Sequence, residues 1–252
     1  MKMNTSIKRG ALSLPIVLGL VFTALTPASA QWSPITIDEQ KVVNTEVPAI
    51  TYNNFDPYRA NVTLKLQYES GGPTPGSEKQ EDNIKAVPYN QNFSITMQGK
   101  PYQLKNIHWH VKSEHSLSVL NPSQSAMEQH MVFADAAGKS VVLASMMQIG
   151  NSQAATTVGN IVSAMPTAKV GTSYVYSVNL GSLLTQIGDR YDYTGSFTTY
   201  PHTENVQWIV FESPMKVSQA TVDRLASLLP NGSNNAPLNP VSPSTTIYHG
   251  KA

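Results

Sequence analysis

The chain has 252 residues, with 17 Lys+Arg, 16 Asp+Glu, six histidines and no cysteine. That length can bury a sizeable core. A near-neutral charge with no basic stripe argues against a nucleic-acid partner, and the lack of cysteine removes disulfides, thiolate nucleophiles and sulfur-built zinc sites, so any metal must be held by histidine or carboxylate.

Residues 1–30 read as a secretory signal peptide. "MKMNTSIKRG" carries Lys2, Lys8 and Arg9 and no acid, the apolar run "ALSLPIVLGLVFTAL" follows, and "TPASA" puts small residues at Ala28 and Ala30. Cleavage is expected after Ala30, giving a periplasmic or secreted protein. The apolar run is shorter than the ~20 residues a bilayer span needs, and no other run in the chain approaches that length. Removing the leader takes three bases and no acids, so 14 Lys+Arg remain against 16 Asp+Glu, a net charge of −2. The whole-chain pI of 7.9 therefore overstates how basic the exported protein is.

Residues 31–252 read as one mostly-β domain. "FSITM", "YQLKNIHWHV", "EQHMVF", "KSVVLASMMQI" and "NVQWIVF" are short, β-branched or aromatic runs separated by Pro, Gly, Asn and Ser. Two stretches have helical spacing instead. "ATTVGNIVSAM" puts Val158, Ile161, Val162 and Met165 on one face, and "SQATVDRLASLL" groups Val222, Leu225 and Leu229 behind Ser218 as N-cap. The polar, Gly- and Pro-punctuated stretch from Glu69 to Asn83 is expected to be an exposed loop. The Asn- and Pro-rich tail from Asn231 is expected to wrap the surface.

Four of the six histidines crowd into "NIHWHVKSEHSLSVLNPSQSAMEQHMVF". Residues two apart in a strand share a face, so His108 and His110 project side by side with Trp109 opposite. His130 lies in a second apolar strand able to pair with the first. Three imidazoles from two strands would hold a zinc ion and leave its fourth tetrahedral position open, as in catalytic rather than structural sites. Asn106 and Glu128, each two residues before a candidate ligand, could accept the hydrogen of the other ring nitrogen. The plainer alternative is a group of core histidines satisfied by hydrogen bonds.

Together with its flanking motifs, "HWH…SEH…EQH" resembles the metal core of the α-class carbonic anhydrases. "WSPITI", "GKPYQLKNIHWH", "YTGSFTTYPHTENVQWIVFESPMKVS" and "NNAPLNP" resemble further family segments, in the family's order, over most of residues 32–240. The resemblance implies a large twisted, mostly antiparallel sheet of about ten strands with a few short helices. It implies zinc held by His108, His110 and His130, with Asn106 and Glu128 behind two of them. It implies reversible hydration of carbon dioxide to bicarbonate. Thr198 would orient the zinc-activated hydroxide and pass its own proton to Glu114. Thr199 would help hold bicarbonate, and Val132, Val142, Phe197 and Trp208 would form the carbon dioxide wall. His115 would be a buried structural histidine. The implied partners are the small-molecule substrate and product, with no membrane attachment once the leader is gone and a monomer or homodimer as the assembly.

The sequence departs from this pattern where fast members carry a proton-shuttling histidine. Residues 31–107 hold no histidine, and Gln91 in "VPYNQNFSI" stands nearest the shuttle position. Slow proton transfer is therefore expected. Asn106 is shorter than the usual Gln, and Ala236 replaces an Arg in the closing motif. A carbonic-anhydrase-like surface binding module, non-catalytic or weakly active, is the alternative reading. His202 is expected at the surface, and His249 in the tail carries no assignment.

Overall fold

The computed structural model describes residues 31–55, 62–69, 82–89, 92–167, 171–184 and 188–251. The leader, Gln91 and residues 70–81 of the expected loop lie outside the described residues.

The strands in chain order are β1 (Thr36–Ile37), β2 (Val43–Asn44), β3 (Ile50–Asn53), β4 (Val62–Glu69), β5 (Asn83–Pro88), β6 (Ser94–Met97) and β7 (Lys100–Val111). There follow β8 (Ser116–Leu117), β9 (Met127–Ala134), β10 (Ser140–Ile149), β11 (Thr172–Val178), β12 (Arg190–Ser196), β13 (Glu204–Val217) and β14 (Tyr248–Gly250). All but β1 and β8, which pair with each other, join one twelve-stranded sheet. Its main path runs β11-β4-β5-β7-β9-β10-β13-β12-β14-β2, with β6 on β7 and β3 on β6. Pairing within it is antiparallel except for β10–β13 and β14–β2, which are parallel. The expected mostly antiparallel sheet is thus present, with twelve strands in place of about ten.

The central strands alternate between two faces, apart from register shifts at Lys105 in β7 and between Ser145 and Met147 in β10, and both faces are buried. On one face Ile107, Trp109, Met131, Phe133, Val141, Leu143, Ile209 and Phe211 form a core covered by α1 (Gln153–Ser163) and α2 (Gln219–Leu228). Each such aliphatic, Met or Phe side chain contributes on the order of 1.5–3 kcal/mol when fully buried. Both helices start where a serine caps them. Ser152 Oγ accepts from Ala155 N at 3.0 Å and Ser218 Oγ from Thr221 N at 3.2 Å, satisfying N–H groups that the helix itself leaves without acceptors.

The opposite face packs Val132, Val142, Ala144, Tyr193, Trp208 and Val210 under Ile35 and Ile37 from the N-terminal segment and Leu117 of β8. Registers line these residues up across the sheet. Asn106 faces Val132, Val132 faces Val142, Val142 faces Trp208, and Trp208 faces Tyr193. In the next row but one His108 faces His130, and His130 faces Ala144. A bulge between Leu104 and Asn106 switches the phase of β7, so Leu104 enters the helix-covered core while Asn106, His108 and His110 turn to the other face.

The tail is more deeply embedded than expected. Asn234, Ala236, Ile247 and His249 are buried, and β14 extends the sheet. Asn- and Pro-rich composition marked the loops correctly but hid the three-residue strand within them.

Candidate metal centre

Because His108 and His130 are direct cross-strand partners and His110 follows two residues along β7, three rings meet on one face. Their centroids lie 5.2 Å (His108–His110), 5.2 Å (His108–His130) and 4.6 Å (His110–His130) apart. One ligand nitrogen from each falls within 4.8 Å of the others.

Each ring has one nitrogen committed away from the shared point. His108 Nδ1 donates to Asn106 Oδ1 at 2.7 Å, His110 Nδ1 to Asn234 O at 3.0 Å, and His130 Nε2 contacts Glu128 Oε1 at 2.9 Å. This fixes the tautomers so that His108 Nε2, His110 Nε2 and His130 Nδ1 present lone pairs. His110 Nε2 is buried without any hydrogen-bond partner. Leaving such an atom unmet costs about 1–3 kcal/mol, and a cation at the shared point would satisfy it. Burial, and then the neighbouring His130, lower the His110 pKa; burial followed by His110, His130 and Lys85 holds His108 well below the usual histidine range. Both rings are therefore neutral and ready to ligate. A metal fits this donor set, and its borderline nitrogen ligands suit zinc.

Glu128 does more than back one ligand. Its Oε2 accepts from the backbone N–H of Glu114 and of His115, both at 2.8 Å, while Oε1 meets His130 and, at 2.7 Å, His115 Nδ1. Burial alone would raise its pKa, but His115, His130 and their hydrogen bonds outweigh that and hold it well below the carboxylate range. His115 Nε2 contacts Tyr193 OH at 2.7 Å, and that hydroxyl meets Ser33 Oγ at 2.8 Å. His115 thus serves as a buried strut.

Beside the histidines opens a cleft of about 250 Å³. Val132, Val142, Phe197 and Trp208 line one side; Glu69, Asn83 and Lys85 line another, with Lys85 ion-paired to Glu69. Thr198 and Thr199 also line it, Thr198 almost fully buried. The loop carrying them is closed by Phe197 N to Thr203 O at 2.9 Å and His202 N to Thr199 O at 2.8 Å.

A model of the family described as eukaryotic-type carbonic anhydrase matches residues 24–243. The chain belongs to this family.

A curated carbonic anhydrase from Neisseria gonorrhoeae is 26% identical over 220 residues, covering 85% of this chain and 76% of that one. The solved α-carbonic anhydrase of Photobacterium profundum is 24% identical with a TM-score of 0.71, over 88% of this chain and 90% of that one. The α-carbonic anhydrase of Thermovibrio ammonificans, solved with the inhibitor sulfanilamide, is 25% identical with a TM-score of 0.70 and covers 86% of each chain.

Within this carbonic anhydrase fold the residues singled out in the sequence are brought together, with one link not made. Glu114 Oε1 accepts from Ala236 N at 2.8 Å and faces His110 Nδ1 at 3.2 Å, but Glu114 Oε2 is buried without a hydrogen-bond partner, so no Thr198-to-Glu114 hydrogen bond is formed. The residue that sequence reasoning missed is Asn234. Its carbonyl holds His110, its Oδ1 accepts from Val111 N at 2.9 Å, and its Nδ2 donates to Asp82 O and Trp109 O. It opens the quoted "NNAPLNP", yet a backbone carbonyl leaves no side-chain signature to read. His202 is half-buried against Trp32, with ring centroids 5.6 Å apart.

Proposed function

We propose that this chain catalyses the reversible hydration of carbon dioxide with a zinc ion held by His108 Nε2, His110 Nε2 and His130 Nδ1. The observation that carries this reading is the buried, partnerless His110 Nε2 next to two rings whose other nitrogens are already spent. Bound there, zinc supplies the Lewis acidity that makes water nucleophilic near neutral pH. Asn106, Asn234 and Glu128 keep the three rings neutral and oriented. Val132, Val142, Phe197 and Trp208 give apolar carbon dioxide a dry resting surface next to that point. Thr198 would orient the nucleophile by donating its hydroxyl hydrogen to Glu114; that hydrogen bond is not made in this structure, and Glu114 Oε2, buried without a partner, is the acceptor left open for it. Thr199 holds the bicarbonate product.

Proton release is slow in this reading. Apart from the ligands His108 and His130, no histidine is among the described residues lining the cleft. Turnover should climb with the concentration of small imidazole buffers; a fast rate indifferent to buffer would remove this part of the proposal. Export belongs to the same reading: residues 1–30 direct secretion, and N-terminal sequencing of the exported protein should begin at Gln31.

The test is zinc analysis combined with stopped-flow carbon dioxide hydration and sulfonamide inhibition. Zinc bound with inhibitable hydration supports the enzyme. Zinc without hydration favours a binding module, and a chain that takes up no zinc ends the proposal.

A further inference from the structure

One wall of the cleft is polar, and the proposed reaction leaves it unused. β4 and β5 pair with Glu69 facing Asn83 and Gln67 facing Lys85. Ile84 and Ala86 join the core of Ile107 and Trp109, so the alternate residues Asn83 and Lys85 turn the other way, into the cleft that they line with Glu69. β5 lies against β7, with Ala86 facing Ile107, which sets this wall beside the strand of His108 and His110.

Asn83 is 2% exposed, yet neither its Oδ1 nor its Nδ2 has a hydrogen-bond partner among the described residues. Buried amides are almost always paired, so both unmet atoms call for an occupant of the cleft. His110 Nε2 and Glu114 Oε2 are unmet in the same way, and each has a task at the metal; Asn83 has none there. Beside it, Lys85 Nζ pairs with Glu69 Oε2. An ammonium carries three hydrogens, and one carboxylate contact leaves others to donate. After burial, His110 and His130, it is the Lys85 charge that holds His108 below the usual histidine range, so that charge reaches the inner end of the cleft.

A primary amide sets an acceptor and a donor side by side. A molecule with an O–H next to a second oxygen on the same carbon meets both at once, in a ring of two hydrogen bonds. Carbon dioxide has no hydrogen to donate. Bicarbonate has the O–H and the acceptor oxygens, and its negative charge matches the Lys85 ammonium. We propose that Asn83 and Lys85 hold bicarbonate in a subsite on this wall, apart from the metal position. The anion's O–H donates to Asn83 Oδ1, one of its oxygens accepts from Asn83 Nδ2, and Lys85 Nζ donates to another. The identity of the anion rests on the carbon dioxide reading, whereas the site rests on the residues themselves. Because the equilibrium between carbon dioxide and bicarbonate fixes the ratio of forward to reverse kcat/KM, binding reveals the subsite and the balance of rates does not.

The experiment titrates the full zinc-loaded protein, isotope-labelled for NMR, with bicarbonate at mildly alkaline pH. The Asn83 side-chain amide signal, identified by its loss in Asn83→Leu, should shift and saturate. Nitrate has the same planar shape and charge but no hydrogen, and should act about 10-fold more weakly. Lys85→Gln should weaken bicarbonate by about 10-fold, the size of a lost charge-assisted hydrogen bond, with zinc content unchanged. The shift should persist after zinc is removed with a chelator. An unmoved Asn83 signal assigns the wall to water and overturns the proposal, as does a Lys85→Gln variant that binds bicarbonate unchanged. So does a shift that nitrate matches, or one that vanishes with zinc and so reports an anion on the metal. Bicarbonate binding at Asn83 in a protein that fails to hydrate carbon dioxide upholds the subsite while ending the enzyme reading; hydration with an unmoved signal does the reverse.

Discussion

On β9, Met127, Gln129, Met131 and Phe133 face the helices, whereas Glu128, His130 and Val132 face the cleft. The same alternation divides β7 into Ile107, Trp109 and Val111 on one side and Asn106, His108 and His110 on the other. On these two strands the helix-covered side is almost wholly apolar, and its Gln129 is satisfied: it accepts from Trp109 Nε1 and donates to Leu183 O, both at 3.2 Å. The cleft-facing side buries charged and titratable groups and leaves His110 Nε2 and Glu114 Oε2 without partners. On β7 and β9 the helix-covered side has its polar side chains met by protein, whereas the other side keeps unmet atoms where a ligand belongs. Mutations on the two faces should therefore separate stability from chemistry.

The largest effect is expected from His110→Ala. It removes the partnerless nitrogen together with the ring that Asn234 holds, so zinc should leave the cleft site and carbon dioxide hydration should fall to the uncatalysed rate. Circular dichroism should stay native-like. Retained hydration would show that the two faces are not divided as described. Phe133→Ala, on the same strand as His130 but on the opposite face, should do the reverse. It should cost about 3–5 kcal/mol in urea unfolding, with zinc affinity and hydration per folded molecule unchanged.

Much of this division was legible in the sequence, because period-two alternation is a direct consequence of strand geometry. "HWH" and "EQH" announced the shared face, and Ser218 with its Val222, Leu225 and Leu229 spacing announced α2. What stayed hidden depends on geometry that side chains do not encode. Inserting Lys105 as a bulge flips the phase of β7, so a single alternation cannot run through Tyr102 to Val111. The parallel pairing of β10 with β13 joins strands separated by α1, β11 and β12, and no local pattern foretells it. Asn234 acts on His110 through a carbonyl that every residue possesses. His249 looked idle because its partners, Asn44 and Glu212, are 205 and 37 residues away.

Glu128→Gln tests how the cleft face is held together, with a smaller expected effect. The neutral amide cannot accept from two backbone N–H groups and two imidazoles as a carboxylate does. Zinc affinity should drop about 10–100-fold, the usual range for residues that orient a ligand, as measured by competition with a chelator. An unchanged affinity would mean that Asn106 and Asn234 alone suffice to orient the rings.

The smallest effect is expected at the far side of the sheet. Ser218 Oγ accepts from Thr221 N and so caps α2, which packs against β7 behind the histidines. Ser218→Ala should cost about 1 kcal/mol of stability in denaturant unfolding, the typical value of a lost N-cap. Because the helix touches β7 only through its apolar face, that loss should not reach the rings. Zinc affinity and hydration should match those of the unmodified protein within error. A capping variant that loosened zinc while costing so little stability would show that the helices tune the metal site through β7, and the two faces would have to be treated as one coupled unit.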